Sequence, residues 1–188
     1  METLPILAIV FGPILAFIGA VIGAFMANFL GEDFKRFRDG SALASALSGE
    51  LKSYRIASAR LKDRLIILQN EAKSGNAIVL AEPPPFKDWV FEKAVEKLGY
   101  LGPDLPELVC LTYGKIAGFR TLFLLIAQKK LPSDAATLSR LYPELLELVN
   151  DAARSGGIAI ADLETRANQK YSDYLRSNWD SFLHKCTS

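Results

Sequence analysis

Residues 4–30 read LPILAIVFGPILAFIGAVIGAFMANFL, an apolar stretch without a charged side chain. A helix needs about 20 such residues to cross the ~30 Å hydrocarbon layer of a bilayer. A cleaved signal peptide has instead a positively charged start, an apolar run of about 7–15 residues and a small-x-small cleavage site. Here no Lys or Arg precedes the run, and Ala24 and Ala27 are not spaced for cleavage. The sequence therefore predicts an uncleaved transmembrane anchor over residues 1–30.

The orientation of this anchor follows from the residues on its flanks. Lys35, Arg36 and Arg38 lie just after it, in a predicted juxtamembrane linker over residues 31–40, although three acidic residues lie among them. Basic residues near a membrane segment tend to stay on the cytoplasmic side. We expect the N-terminus outside, the body in the cytoplasm, and these three bases close to lipid headgroups.

Small residues inside the anchor form a possible helix-contact surface. Gly19 and Gly23 make a Gly-x-x-x-Gly pair, and small residues let two membrane helices approach closely. Neighbouring helical positions carry more of them: Ala16, Ala20, Ala24 and Ala27. The hypothesis is association with a second copy or with another membrane protein, but such residues are also common in membrane helices that make no contact.

The remainder of the chain reads as one all-α domain over residues 41–188, a soluble bundle of about five helices. Its first helix is predicted over Ser41–Lys73, with a seam that repeats at four- and three-residue spacing. The seam consists of Leu47, Leu51, Tyr54, Leu61, Leu65 and Leu68. Ser58 interrupts it, which favours packing within one chain over a coiled coil between two chains.

The later helices follow from apolar periodicity and from capping residues. We expect Gly99 to close a short helix in a left-handed conformation and Asp104 to cap the next one. Ser133 or Asp134 should start the following helix, and Gly156-Gly157 should end it. The predicted ranges are 86–98, 105–129, 133–156 and 158–183, with an extended loop at the prolines of residues 83–85.

Composition excludes several function classes. With 22 basic and 21 acidic residues the chain has no basic field for a nucleic-acid backbone. Two distant cysteines and one histidine predict neither a disulfide framework nor a His/Cys metal site. No phosphate loop, nucleophile elbow or dinucleotide fingerprint is present, so we expect no enzyme and no cofactor.

The segment from Val90-Phe91 to Lys97-Leu98-Gly99-Tyr-Leu-Gly-Pro precedes an apolar helix containing Tyr113 and lies behind one long helix and one apolar N-terminal segment. Over roughly residues 1–130 this arrangement resembles a group of uncharacterised bacterial single-pass membrane-anchored helical proteins without an assigned activity. The resemblance implies a bacterial inner-membrane location. It implies no functional residues.

Two hypotheses of function follow. The preferred one is a non-enzymatic, membrane-tethered helical scaffold or accessory subunit that acts through contacts with lipid, with itself or with another membrane protein. The alternative is a membrane-anchored sensor, in which a pocket among the aromatic-rich helices binds a small apolar molecule. A ligand that binds only the folded state raises its melting temperature, so thermal-shift screening separates the two.

Overall fold

The computed structural model describes residues 3–76, 87–131 and 134–176, with side chains from residue 16 onward. These described residues form helices joined by short turns and contain no strand. The predicted all-α class is therefore confirmed. The proline loop at residues 83–85 and the final part of the last predicted helix lie outside the described residues.

Helix α1 (Thr3–Lys73) runs without interruption. The predicted linker at residues 31–40 is therefore wrong as a break in the helix, and Ser41 is an interior residue and not a cap. Gly31 and Gly40, at the two ends of that linker, do not stop the helix. Among the described residues the glycines with positive φ are Gly75 and Gly102, so neither linker glycine is left-handed. A glycine ends a helix readily only when it adopts that left-handed conformation.

Three elements follow α1 in the middle of the chain. They are the short helix α2 (Trp89–Ala94), a 3-10 helix (Val95–Leu101) and helix α3 (Leu105–Ala127). The predicted closing glycine was wrong by three positions, since Gly99 is helical and Gly102, with φ of 107°, ends the segment. Asp104 precedes α3 but makes no capping hydrogen bond through its side chain.

Helix α4 (Ala135–Asn168) joins what the sequence predicts as two helices. It begins as predicted at Asp134, whose carboxylate accepts a hydrogen bond of 2.9 Å from the backbone N–H of Thr137. The predicted end at Gly156-Gly157 is wrong: both glycines are helical, and Gly156 is buried close to the Thr112 side chain of α3. The helix ends at Asn168, and residues 171–176 form a further helical segment.

The chain divides into two compact units. One comprises the described residues up to Asp39 together with those from Tyr171 onward, and the other comprises Gly40–Lys170. In the first unit, Phe34 and Phe37 pack against Tyr171 with ring centroids 5.0 and 5.2 Å apart, and the Tyr171 hydroxyl donates a 3.0 Å hydrogen bond to Asp33. Aromatic contacts thus hold the residues that follow α4 against α1 within this unit.

The second unit, Gly40–Lys170, has two separate clusters of buried apolar residues. The first cluster draws on every helix of the unit: Ala44, Leu47, Leu51, Ala94, Leu98, Leu101, Val109, Tyr113, Ala159, Ile160 and Leu163. The second cluster draws on α1, α3 and α4: Leu65, Ala72, Phe119, Ile126, Leu138, Tyr142, Leu145 and Val149. Each cluster contains one buried tyrosine.

One close backbone approach supports the first cluster. Arg166 donates hydrogen bonds to the Ser41 hydroxyl at 3.1 Å and to the Tyr100 carbonyl at 3.3 Å, and it is only 7% exposed. A β-carbon on Gly40 would overlap both that carbonyl and the Arg166 guanidinium. Glycine at position 40 therefore lets α1 lie directly against the end of the 3-10 helix.

Candidate functional site

An apolar cleft of about 530 Å³ lies between α1, α3 and α4 of the second unit. Pockets for small organic ligands have volumes of about 300–1,000 Å³. The cleft has residues of both core clusters in its wall. Its lining residues are Leu51, Tyr54, Arg55, Ala57, Ser58, Leu61, Thr112, Ile116, Phe119, Arg120, Phe123, Val149, Ala152, Ala153 and Gly156.

The cleft exists because small residues meet where large ones fill the rest of the core. On α1, Ala57 and Ser58 lie between the turns that carry Leu51 and Leu61, and on α4 the wall is made by Ala152, Ala153 and Gly156. A well-packed core normally leaves few voids larger than a water molecule. The interruption of the α1 seam at Ser58 is thus the sequence feature that coincides with the cleft.

The two aliphatic hydroxyl groups in the wall, those of Ser58 and Thr112, are already bonded to the protein. The Ser58 hydroxyl donates to the carbonyl of Arg55 at 2.8 Å, and the Thr112 hydroxyl donates to the carbonyl of Leu108, also at 2.8 Å. These are bonds of each side chain to its own helix. Apart from two arginines and Tyr54, the surface left to a ligand is therefore hydrocarbon.

One of those arginines, Arg120, is held by an ion pair. Its guanidinium lies 2.8 and 2.7 Å from the two carboxylate oxygens of Asp88, and both side chains are largely buried. The Tyr54 hydroxyl donates to the same carboxylate at 2.7 Å, and the Tyr54 ring lies 5.2 Å from the guanidinium. Burial, followed by the hydrogen bond to Asp88, raises the pKa of Tyr54 to about 12.

A second polar group, the carboxylate of Glu50 on α1, lies beside this ion pair. It accepts hydrogen bonds from the backbone N–H groups of Val90 and Phe91, at 3.1 and 3.2 Å, and from the Tyr113 hydroxyl at 2.6 Å. Burial, and then the bond to Glu50, raises the pKa of Tyr113 well above its usual range. The first N–H groups of a helix have no intrahelical partner, so Glu50 supplies the cap that Asp88 does not give to α2.

The two carboxylates beside the cleft hold helices together. The carboxylates of Glu50 and Asp88 are engaged by the donors of α2, α3 and Tyr54, so they tie the helices together around one side of the cleft. Within the described residues no group of three or more His, Cys, Asp or Glu side chains could hold a metal ion. The absence of an enzymatic activity stays a prediction.

The predicted seam residues of α1 lie in both core clusters and in the cleft. Leu47, Leu51 and Leu65 are buried, and Leu61 and Leu68 pack against the second cluster. Tyr54 packs against the first cluster. Leu51, Tyr54 and Leu61 also form the α1 wall of the cleft. The seam therefore packs within the chain.

The residues predicted for membrane-helix contact and for headgroup contact lie on exposed parts of α1. All six small residues (Ala16, Gly19, Ala20, Gly23, Ala24 and Ala27) are exposed, and so are Lys35, Arg36 and Arg38. Large apolar side chains between them are exposed as well, Phe17 by 70% and Phe25 by 69%. A β-carbon added at Gly19 or Gly23 would have no atom of the described residues within 4 Å outside its own helix backbone and chain neighbours.

Among the described residues two helices are long and apolar enough, by length and composition alone, to cross a membrane: α1 in its part from Ala16 onward, and α3. In α3 the densest apolar part, residues 122–127, is too short to span a bilayer and follows Arg120. The core helix of a soluble protein also passes this test. Helix α3 contributes Val109, Tyr113, Phe119 and Ile126 to the two clusters, as such a core helix would.

Sequence reasoning missed the polar residues Glu50, Asp88 and Arg120. Glu50 lies on α1, Asp88 just before α2 and Arg120 on α3, and no short motif joins them. A signal existed for the cleft itself, since Ala152, Ala153 and Gly156 fall on the buried side of an otherwise Leu-rich helix.

No protein-family model matches the chain, and neither a curated protein nor a solved structure shows significant similarity to it.

Proposed function

We propose that this protein is a membrane-anchored helical bundle that binds an apolar small molecule in the cleft between α1, α3 and α4. The observation that carries the proposal is a cleft of about 530 Å³ between three helices, with a wall that is mostly hydrocarbon. Each Å² of apolar surface removed from water contributes roughly 25 cal/mol, which favours an occupant of this kind.

The test is photolabelling of the full chain in lipid nanodiscs with a long-chain alcohol that carries a diazirine. We expect adducts on Leu61, Phe119 or Phe123, detected by peptide mass spectrometry. Ala153→Phe fills the cleft and should remove most of these adducts. Ala161→Phe is the matched control, because Ala161 is an exposed residue of the same helix that does not line the cleft. Adducts that respond equally to both substitutions would contradict the proposal.

A second function, the tethered scaffold, is favoured by a different observation. Within the described residues the apolar side chains of residues 16–30 are all exposed, which is costly in water and ordinary in lipid. We propose that this segment is a single membrane span in a bacterial inner membrane. The N-terminus would lie outside and the body in the cytoplasm, where Lys35, Arg36 and Arg38 would lie at the headgroups.

Contact through the small residues of that span is tested by Gly19→Leu combined with Gly23→Leu. Larger side chains prevent close approach of two helices, so we expect self-association, measured by energy transfer between labelled copies in vesicles, to fall. Val21→Leu combined with Ile22→Leu is the control. Unchanged energy transfer in the glycine variant would exclude this contact, and recovery of the protein from a carbonate-washed soluble fraction would exclude the span.

A further inference from the structure

The charged side chains that line the cleft are both cationic. Its wall contains two cationic residues, Arg55 and Arg120, and no acidic one. Asp88 compensates Arg120 through the ion pair described above. Arg55 is exposed, and among the described residues it takes part in no recorded ion pair. The cleft therefore combines a mostly hydrocarbon interior with one positive charge, on Arg55, that forms no ion pair within the part of the chain that the structure describes.

The neighbours of Arg55 on α1 do not neutralise it. Side chains three and four residues away on a helix are its neighbours, and at these positions stand Leu51, Lys52, Ser58 and Ala59. Lys52 is itself paired with Glu164 of α4. No carboxylate thus lies one helical turn from Arg55 on its own helix.

We propose that the cleft takes a single-chain anionic amphiphile, with its hydrocarbon chain between α1, α3 and α4 and its carboxylate on Arg55. The inference rests on the proposed function and adds the class of ligand to it. A guanidinium offers a planar fork of N–H donors that matches a carboxylate. A wholly neutral ligand would leave this charge unused, and a cation would meet a like charge at the same place.

The experiment measures how well dodecanoate and dodecanol reduce photolabelling of the cleft by the diazirine-bearing alcohol. It uses the full chain in nanodiscs at mildly alkaline pH, where the carboxyl group of dodecanoate is ionised. We expect dodecanoate to compete better than dodecanol. Arg55→Gln should weaken dodecanoate competition roughly threefold to fivefold, as the loss of a solvent-exposed ion pair does, and leave dodecanol unchanged. Arg60→Gln, at an exposed position outside the cleft wall, should change neither.

The outcomes separate this inference from the function on which it rests. Equal competition by the two compounds, or an equal effect of Arg55→Gln on both, would overturn the anionic class and leave apolar binding in the cleft intact. A loss of dodecanoate competition in Arg60→Gln as large as in Arg55→Gln would also overturn it, because the effect would then be that of general charge. Labelling that never reaches the cleft residues would overturn the proposed function itself.

Discussion

The two core clusters of the bundle each contain one buried tyrosine, and the two hydroxyl groups are in opposite situations. The hydroxyl of Tyr113, which is 3% exposed in the first cluster, donates a hydrogen bond to Glu50. Tyr142, fully buried in the second cluster, has no hydrogen-bond partner among the described residues. Burial raises the pKa of both phenols, but only at Tyr113 does a neighbouring carboxylate contribute to the shift.

This difference shows how the two clusters are held together. A buried polar group costs free energy unless it is bonded, and a bonded one fixes the geometry of its partners. In the first cluster Glu50 connects α1 to α2 and α3, so polar contacts define how these helices meet. In the second cluster, as far as the described residues show, the helices meet through apolar side chains. We therefore expect single substitutions to have large effects around Glu50 and smaller effects near Tyr142.

The largest loss of stability is expected for Glu50→Ala. This substitution leaves the Tyr113 hydroxyl without its acceptor, as the Tyr142 hydroxyl already is among the described residues. The substitution leaves two backbone N–H groups and one buried hydroxyl without an acceptor. Leaving one such buried group unsatisfied costs about 1–3 kcal/mol, and the cost is smaller for a donor that water can reach. For the three groups together, the free energy of unfolding should fall by about 3 kcal/mol. Urea titration followed by circular dichroism measures this change.

The control for this prediction is a double-substitution cycle. Tyr113→Phe removes the buried donor, so Glu50→Ala should cost less in that background, and the difference between the two costs is the interaction energy of the pair. Strictly additive losses would mean that the 2.6 Å bond between Tyr113 and Glu50 contributes nothing measurable.

The close approach at Gly40 should give the next largest effect. The methyl group of Gly40→Ala would overlap the Tyr100 carbonyl and the Arg166 guanidinium, and relieving such overlap typically costs about 1–3 kcal/mol. We expect a net loss of about 2 kcal/mol. Gly49→Ala is the matched control on α1, since no atom lies within 4 Å of its added carbon. That variant should gain up to about 1 kcal/mol from helix propensity, and similar behaviour of both variants would contradict the close approach.

The raised pKa of Tyr113 predicts a loss of stability at alkaline pH. Below about pH 10 the phenol is protonated in both folded and unfolded states, so its contribution is fully present there. Above that pH the unfolded chain releases the proton while the folded protein keeps it, which favours unfolding. At about pH 11 the free energy of unfolding should be lower by ~1.4 kcal/mol on this account. Subtracting the same pH series for Tyr113→Phe isolates the effect, and parallel curves would disprove it.

Much of the fold could be predicted from the sequence, because apolar spacing and caps act locally. The helical class and the start of α4 at Asp134 both depend on residues within one turn. The predicted breaks were wrong for a tertiary reason at Gly156. Gly156 of α4 has no side chain and lies close to Thr112 of α3. No local sequence pattern reveals a contact between two helices.

The candidate site was less predictable than the fold. Ser58 could be seen as a gap in the α1 seam, but only the structure places it opposite Ala152 and Ala153. Likewise Asp88 has the sequence position of a cap for α2 and is used instead to hold Arg120. A cavity and an ion pair each need two or more helices, so their residues carry no common spacing along the chain.

The smallest expected effect has the opposite sign from the others. Tyr142→Phe removes a buried hydroxyl that has no partner among the described residues, so the free energy of unfolding should rise by about 1 kcal/mol. Ser48→Ala removes the other such hydroxyl and should also stabilise, by less. The same Tyr→Phe change at Tyr113 should destabilise, because it removes a hydrogen bond to Glu50. If both tyrosine variants were destabilised alike, the Tyr142 hydroxyl would have to be bonded to water in the core, and the contrast between the two clusters would vanish.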